Sequence, residues 1–117
     1  MLAAVIDIGS NSVRLVLYQY VGHHAQPVFN DKVTCALGSG LVAGSRLDEG
    51  AKEKTRVTIA RFRQLLEASK PRVVKVVATA AIRESQDGAA FAAELAEILG
   101  HPIEILSGIE EATYAAK

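Results

Sequence analysis

The stretch that decides the fold is residues 2–20, LAAVIDIGSNSVRLVLYQY, in which two apolar runs flank a compact polar turn. The first run, residues 2–8, is rich in Val and Ile, and the second, residues 13–20, alternates its side chains along the chain. Both patterns are typical of β-strands. The stretch therefore predicts two neighbouring strands joined by a turn at residues 7–12.

The turn carries the chemical groups that bind a phosphate. Asp7 ends an apolar run, where a carboxylate is costly unless it meets a metal or hydrogen-bond donors. Gly9 lets a ligand approach the main chain, and Ser10, Asn11 and Ser12 follow it. Their hydroxyl, amide and backbone N–H groups suit an anion, and a nearby carboxylate can hold a hydrated Mg²⁺. A plain polar hairpin turn explains the same residues, because Asp, Asn and Ser are common in turns.

Length and composition limit the function classes. With 117 residues, the chain is one domain or part of one. Thirteen basic and thirteen acidic residues give no net charge, which argues against a nucleic-acid surface. No apolar run approaches the roughly 20 residues of a membrane span, and the N-terminus lacks signal-peptide features. Together with the single Cys35, predicted to lie in the core, this indicates a cytoplasmic protein.

The remaining chain predicts an α/β fold, a mixed sheet with helices packed on it. Residues 26–37 read as a third strand, with an irregularity at Asn30 and Asp31 and a hairpin turn before it at 21–25. Asp48 is the expected N-cap of the first helix. Further elements are expected as follows: a helix at 48–69, a strand buried on both sides at 72–79, a turn at 79–84, a helix at 88–99, a strand at 102–106 and a third helix from 107, in which the chain stops.

Three other features of the sequence are not interpreted as functional sites. Residues 38–43 match the dinucleotide pattern G-x-G-x-x-G/A, but they follow the third strand rather than the first, so no dinucleotide site is predicted. His23 and His24 point apart on a turn and are expected in solvent. The basic residues of the first helix are expected on its solvated face: Lys52, Lys54, Arg56, Arg61 and Arg63.

Polar clusters follow three predicted strands, at residues 7–12, 79–84 and 107–111. Ligands of open α/β sheets lie outside the carboxyl ends of the strands, so these clusters are expected to converge. Arg83 is either a cation for phosphate oxygens or a partner of Glu84 or Glu110. Neighbouring side chains on a helix point about 100° apart, so only one of Glu110 and Glu111 can face the cleft. That carboxylate could orient or deprotonate a water.

Four segments, AVIDIGSNSVRLV, LGSGL, VVATAAIRE and IEILSGIEEA, occur in this order along nearly the whole chain. In sequence and spacing they resemble the N-terminal domain of the Ppx/GppA family of exopolyphosphatases and guanosine pentaphosphate phosphohydrolases. The resemblance implies a ribonuclease-H-like fold of the actin-like ATPase superfamily, with a mixed five-stranded sheet.

The resemblance also implies roles for individual residues. Asp7 would lie near a Mg²⁺ or another divalent cation. Arg83 would contact phosphate, and Glu111 would activate the attacking water with Glu110 as its structural neighbour. The first phosphate loop would consist of Gly9, Ser10, Asn11 and Ser12.

The family's second phosphate loop is not found in this sequence, so residues 1–117 are expected to be the N-terminal domain of a longer, homodimeric protein. Alone, this domain should fold but have little activity. The implied substrates are inorganic polyphosphate and guanosine pentaphosphate. Two alternatives stay open: an ATP-using kinase or ATPase of the same superfamily, and a non-catalytic sensor of a phosphorylated nucleotide.

Overall fold

The computed structural model describes residues 1–40, 42 and 44–115. Leu41 and Ala43 of the glycine-rich pattern, and Ala116 and Lys117 of the last helical run, lie outside the described residues. Strands and helices alternate after an initial three-stranded meander. The elements are β1 (Leu2–Ile8), β2 (Ser12–Val21), β3 (His24–Thr34), α1 (Glu49–Ser69), β4 (Val73–Ala78), α2 (Ala80–Glu84), α3 (Gly88–Leu99), β5 (Glu104–Ile105) and α4 (Gly108–Ala115).

The five strands form one mixed sheet in the order β3-β2-β1-β4-β5. β1 is antiparallel to β2, and β2 is antiparallel to β3. β4 runs parallel to β1, and β5 runs parallel to β4. The predicted mixed five-stranded sheet is therefore confirmed, and the three parallel strands end at the same edge.

β3 begins two residues and ends three residues before the predicted strand at 26–37. Its hairpin turn is only Gly22 and His23 long, and Gly22 has a φ of 61°, which a residue without a Cβ adopts at little cost. The irregularity lies at Val28 rather than at Asn30 and Asp31, because Leu17 faces Phe29 while Tyr18 faces Pro27. Proline lacks the N–H that a regular ladder needs, which favours a bulge beside it.

The core lies between one face of the sheet and helices α1 and α3. The strands contribute every second residue, as expected for a period of two, and the helices contribute residues three or four apart. Its fully buried members include Ala4, Ile6, Ile8, Val13, Leu15, Ile59, Phe62, Leu95 and Leu99. Cys35 is buried here as predicted. No helix among residues 1–40, 42 and 44–115 is both long and apolar enough to cross a membrane.

The prediction that β4 is buried on both sides is wrong for its first half. Val73 is 48% exposed, whereas Val76, Val77 and Ala78 are buried. The helices cover one face of the sheet, so the start of β4 keeps its other face in solvent. A continuous run of Val does not by itself distinguish burial on one side from burial on two.

α1 starts as predicted, with the Asp48 carboxylate accepting the Ala51 N–H at 2.9 Å. The prediction that Lys52 lies on a solvated face is wrong, because its side chain is only 9% exposed. Its Nζ donates to Asp87 Oδ2 at 2.9 Å, and Asp87 Oδ1 accepts the Leu47 N–H at 2.9 Å. The tertiary fold places the start of α3 against the start of α1, which helical periodicity does not encode.

The Lys52–Asp87 pair makes stability depend on pH. Burial raises the pKa of Asp87, but hydrogen bonds from Leu47 and Lys52 outweigh it, so the net pKa is lowered. A carboxyl with a lowered pKa stabilises the fold above its unfolded pKa and loses that contribution as pH falls through its folded pKa. We expect Asp87→Asn to cost roughly 2 kcal/mol at pH 7, since the buried Lys52 then keeps, among the described residues, only the exposed Glu49, at 3.2 Å, as a charged partner.

Urea unfolding of the wild type and Asp87→Asn at pH 7 and at successively lower pH measures this contribution. The difference between the two proteins should shrink at the acid end. Glu53→Gln is the control, because Glu53 is 64% exposed and lies 3.9 Å from Arg56. A constant difference at every pH would show that the Asp87 charge is not the stabilising feature.

Candidate active site

The three parallel strands bring their following segments to one edge of the sheet. Ile8 at the end of β1 pairs with Ala78, and Ala78 pairs with Ile105 of β5. The prediction of a turn at residues 79–84 is wrong, because Ala80–Glu84 form the short helix α2 with Thr79 as its N-cap. Ala81 and Ile82 are buried in it, so a helical turn packs two apolar side chains that an open turn would expose.

A cleft of about 450 Å³ opens on the sheet face opposite the core, beside the ends of β1 and β4. Asp7 from β1 and Glu111 from the first turn of α4 both line it. Apolar side chains form much of the remaining wall. The full lining is Val5, Asp7, Tyr18, Val77, Thr79, Leu106 and Glu111.

Arg83 connects α2 to the start of α4. Its Nη1 donates to the Leu106 carbonyl at 2.9 Å and to Glu111 Oε1 at 3.1 Å. Nη2 lies 3.6 Å from Glu84 Oε1, a weaker contact. Of the two salt-bridge partners considered from the sequence, Glu84 is found and Glu110 is not. The additional partner, Glu111, is 28 residues away and could not be identified from local spacing.

Ser107 and Glu110 form a capping box at the start of α4. The Ser107 N–H donates to Glu110 Oε1 at 2.9 Å, and the Glu110 N–H donates to Ser107 Oγ at 3.1 Å. The Ser107 N–H and hydroxyl lower the pKa of the Glu110 carboxyl. Glu110 is therefore occupied by its own helix, and Glu111 is the carboxylate at the cleft. The S-x-x-E spacing is a sequence signal that distinguishes the two.

The predicted phosphate loop, residues 9–12, is held as a tight turn by the Gly9 N–H, which donates to the Ser12 carbonyl at 3.0 Å. The chain after β3 packs directly on this loop. Gly38 N–H donates to the Ser10 carbonyl at 2.8 Å, and a Cβ on Gly38 would lie 2.9 Å from Ser10 Cβ. The glycine-rich segment thus supports residues 9–12. Its match to the dinucleotide-binding pattern did not predict this role.

The carboxyl of Asp7 has a raised pKa although part of its surface is exposed. Burial is the largest cause, the nearby Glu111 adds to it, and Arg14 opposes both. Two carboxylates at one cleft suit a cation that relieves their repulsion. Within residues 1–40, 42 and 44–115, no group of three or more His, Cys, Asp or Glu side chains could hold a metal ion. One or two carboxylates, together with waters and substrate phosphates, are the ligand set through which Mg²⁺ is commonly bound, and Asp7 and Glu111 are the residues here that could supply it.

The fold is shared with several solved structures. A crystal structure of the Aquifex aeolicus member of the Ppx/GppA family has a TM-score of 0.91 and 30% identity over 98% of this chain and 38% of its own. A second Aquifex aeolicus Ppx-GppA structure has a TM-score of 0.84 and 31% identity, over 91% of this chain and 36% of its own. An exopolyphosphatase from Cytophaga hutchinsonii has the same fold, with a TM-score of 0.88 and 23% identity over 97% and 36%.

The chain therefore spans less than two fifths of the length of these structures. Its sequence is matched from residue 5 to residue 117 by the model of the Ppx/GppA phosphatase family. This match covers nearly the whole chain and agrees with the strand order and the four sequence segments that first indicated the family. The chain belongs to the Ppx/GppA phosphatase family.

Proposed function

We propose that the protein containing this domain is a hydrolase that releases the terminal phosphate of inorganic polyphosphate or the 5′ γ-phosphate of guanosine pentaphosphate. The observation that carries the proposal is the gathering of Asp7, Glu111 and Arg83 at the carboxyl ends of β1, β4 and β5. Two carboxylates and a guanidinium beside a turn of backbone donors are the groups that phosphoryl-group hydrolysis requires.

Each group has a proposed role. Gly9, Ser10, Asn11 and Ser12 form the loop that holds the terminal phosphate through backbone N–H and side-chain donors. Glu111 orients an attacking water and accepts its proton. Arg83 keeps Glu111 in place through its 3.1 Å contact and adds positive charge near the phosphate.

Asp7 is the proposed ligand of Mg²⁺ or another divalent cation. When bound, the cation offsets negative charge on the phosphate oxygens. Burial and, to a smaller extent, the nearby Glu111 raise the pKa of Asp7. Both effects disfavour the ionised form of Asp7, which a cation at the cleft would stabilise.

From the sequence we also expect the full-length protein to be a homodimer located in the cytoplasm. Its substrate is either the polymer or the nucleotide. We expect low activity of residues 1–117 alone, since relatives of this family are more than twice as long. We assign further groups of the active site to a following domain, which the greater length of the relatives allows.

Phosphate release from polyphosphate, guanosine pentaphosphate and ATP tests the proposal on the full-length protein and on residues 1–117. We expect release from at least one of the first two substrates by the full-length protein, and little by residues 1–117. Faster release from ATP would favour the kinase or ATPase alternative. Binding without release from any substrate would favour the sensor.

Metal removal is a separate prediction. Treatment with EDTA should lower phosphate release by the full-length protein by at least about 100-fold, because Asp7 and the phosphate then face each other without a counter-charge. Added Mg²⁺ should restore the rate. Unchanged release in EDTA would contradict the assignment of a divalent cation to Asp7.

A further inference from the structure

Thr79 is a polar residue of the cleft that has no role in the proposed function. It follows β4 directly and lines the cleft together with Asp7 and Glu111. Val77, two positions earlier, lines the same cleft, as expected for side chains that alternate along a strand. The side chain of Thr79 therefore lies on the sheet face that carries Asp7.

Backbone hydrogen bonds hold Thr79 between the phosphate loop and the helix that carries Arg83. The Thr79 N–H donates to the Ile8 carbonyl at 3.2 Å, directly before residues 9–12. The Thr79 carbonyl accepts the Arg83 N–H at 3.0 Å. Both backbone groups of Thr79 are thus fixed, so its side chain starts from a defined position relative to the loop and to Arg83.

The hydroxyl of Thr79 is available for a ligand. Threonine at the N-cap of a helix commonly accepts a backbone N–H, but the Thr79 side chain makes no such bond to α2. Its Oγ1 also has no hydrogen-bond partner elsewhere in the part of the chain that the structure describes. The residue is half-buried at the cleft, and a hydroxyl can both donate and accept a hydrogen bond.

The other polar side chains that line the cleft are already assigned or are distant. Asp7 is the proposed cation ligand, and Glu111 is the proposed base. Tyr18 pairs with Ala3, four residues before Asp7 on β1, so the backbone of Tyr18 lies roughly 13 Å from Asp7 along the strand. Thr79 is therefore the neutral hydroxyl at the end of the cleft that contains the carboxylates.

A water that attacks phosphorus has two hydrogens, and a single carboxylate fixes only one of them. We propose that Thr79 Oγ1 accepts the second hydrogen and so positions the water that Glu111 deprotonates. The water oxygen forms a bond to the terminal phosphorus as the bond from phosphorus to the bridging oxygen breaks, and the electron pair of that bond leaves with the shortened substrate. One proton goes to Glu111, and the hydrogen held by Thr79 stays on the transferred oxygen. The inference rests on the proposed function and adds a positioning residue to it.

Thr79→Val and Thr79→Ser in the full-length protein test this role, because valine keeps the shape without the hydroxyl and serine keeps the hydroxyl. Phosphate release is measured from polyphosphate, guanosine pentaphosphate and ATP. Thr79→Val should lower kcat by about 30- to 100-fold and change KM by less than about 3-fold, since the hydroxyl orients the water rather than the substrate. Thr79→Ser should stay within about 5-fold of the wild-type kcat.

Two further variants separate the hydroxyl from the fold. Thr79→Ala also lacks the hydroxyl and adds no bulk, so its loss in kcat should match that of Thr79→Val. Thr113→Val is the matched control, because Thr113 Oγ1 donates to the Ile109 carbonyl within α4. It makes the same chemical change close to Glu111 and should keep kcat within about 2-fold of the wild type.

Combination with Glu111→Gln tests whether both residues act on one water. In that background, Thr79→Val should cost less than about 3-fold in kcat, because the water has already lost its base. Losses that multiply, together with a raised KM, would show that Thr79 binds the phosphate. Full activity of Thr79→Val, or equal losses in Thr79→Val and Thr79→Ser, would show that the hydroxyl has no role. Each of these results overturns the inference.

Failure of this inference differs from failure of the proposed function. The proposed function is judged by which substrate the wild type hydrolyses, whereas the inference is judged by the ratio of variant to wild-type kcat on that substrate. Hydrolysis of polyphosphate with Thr79→Val fully active keeps the proposed function and removes the role of Thr79. Hydrolysis of ATP alone, with the expected loss in Thr79→Val, does the reverse. Release from none of the three substrates overturns both.

Discussion

Glu111→Gln in the full-length protein is expected to lower kcat by about 1,000-fold and to change KM by less than about 3-fold. Glutamine keeps the size of the side chain and an oxygen that can accept the hydrogen bond from Arg83. It cannot accept a proton from water. The loss should therefore appear in the chemical step, whereas substrate binding, which depends on residues 9–12, should persist.

The matched control for this prediction is the neighbouring residue. Glu110→Gln preserves the capping box, because glutamine also accepts the Ser107 N–H. Its kcat should stay within about 3-fold of the wild type. Steady-state phosphate release by both variants decides the matter. Full activity of Glu111→Gln, or equal losses at the two positions, would remove Glu111 from the role of base.

Arg83→Gln has the second largest expected effect, a loss of about 100-fold in kcat. Its Nη1 makes both contacts with the β5–α4 connection, one to the Leu106 carbonyl and one to Glu111. Losing them frees the carboxylate to leave its position at the cleft. If Arg83 acts through Glu111, the two substitutions together should be little worse than Glu111→Gln alone.

A double-mutant cycle measures this coupling. In the Glu111→Gln background, Arg83→Gln should cost less than about 5-fold, and Arg83→Lys in the wild-type background should recover part of the rate. Glu84→Gln, which removes only the 3.6 Å contact, should leave kcat unchanged. Losses that multiply would show that Arg83 acts on the phosphate independently, in which case KM should also rise.

Some of the structural features behind these predictions can be predicted from the sequence, and others cannot. β1 and α3 have the predicted bounds, because a continuous apolar run and a closing Gly100 are encoded by residues a few positions apart. The capping box could also have been predicted, since Ser107 and Glu110 have the spacing that the motif requires. The predictions of a turn at 79–84 and of a β4 buried on both sides were wrong, because burial depends on which other elements cover a segment.

The site follows the same division. The sequence predicts that polar residues at the ends of three strands converge, since parallel strands end at one edge. It does not predict that Arg83 pairs with Glu111, that Lys52 is buried against Asp87, or that Gly38 packs on Ser10. Each of these contacts joins residues at least 28 positions apart.

By itself, the sequence determined the order of the strands and of every helix except the short α2, the polar turn after β1 and the family, because these depend on short-range periodicity and on runs of consecutive residues. Only the tertiary structure decided which guanidinium lies beside Glu111, and which loop supports residues 9–12. The physical reason is that the packing of the whole core decides which residues meet across the sheet. A short segment of sequence does not contain that information.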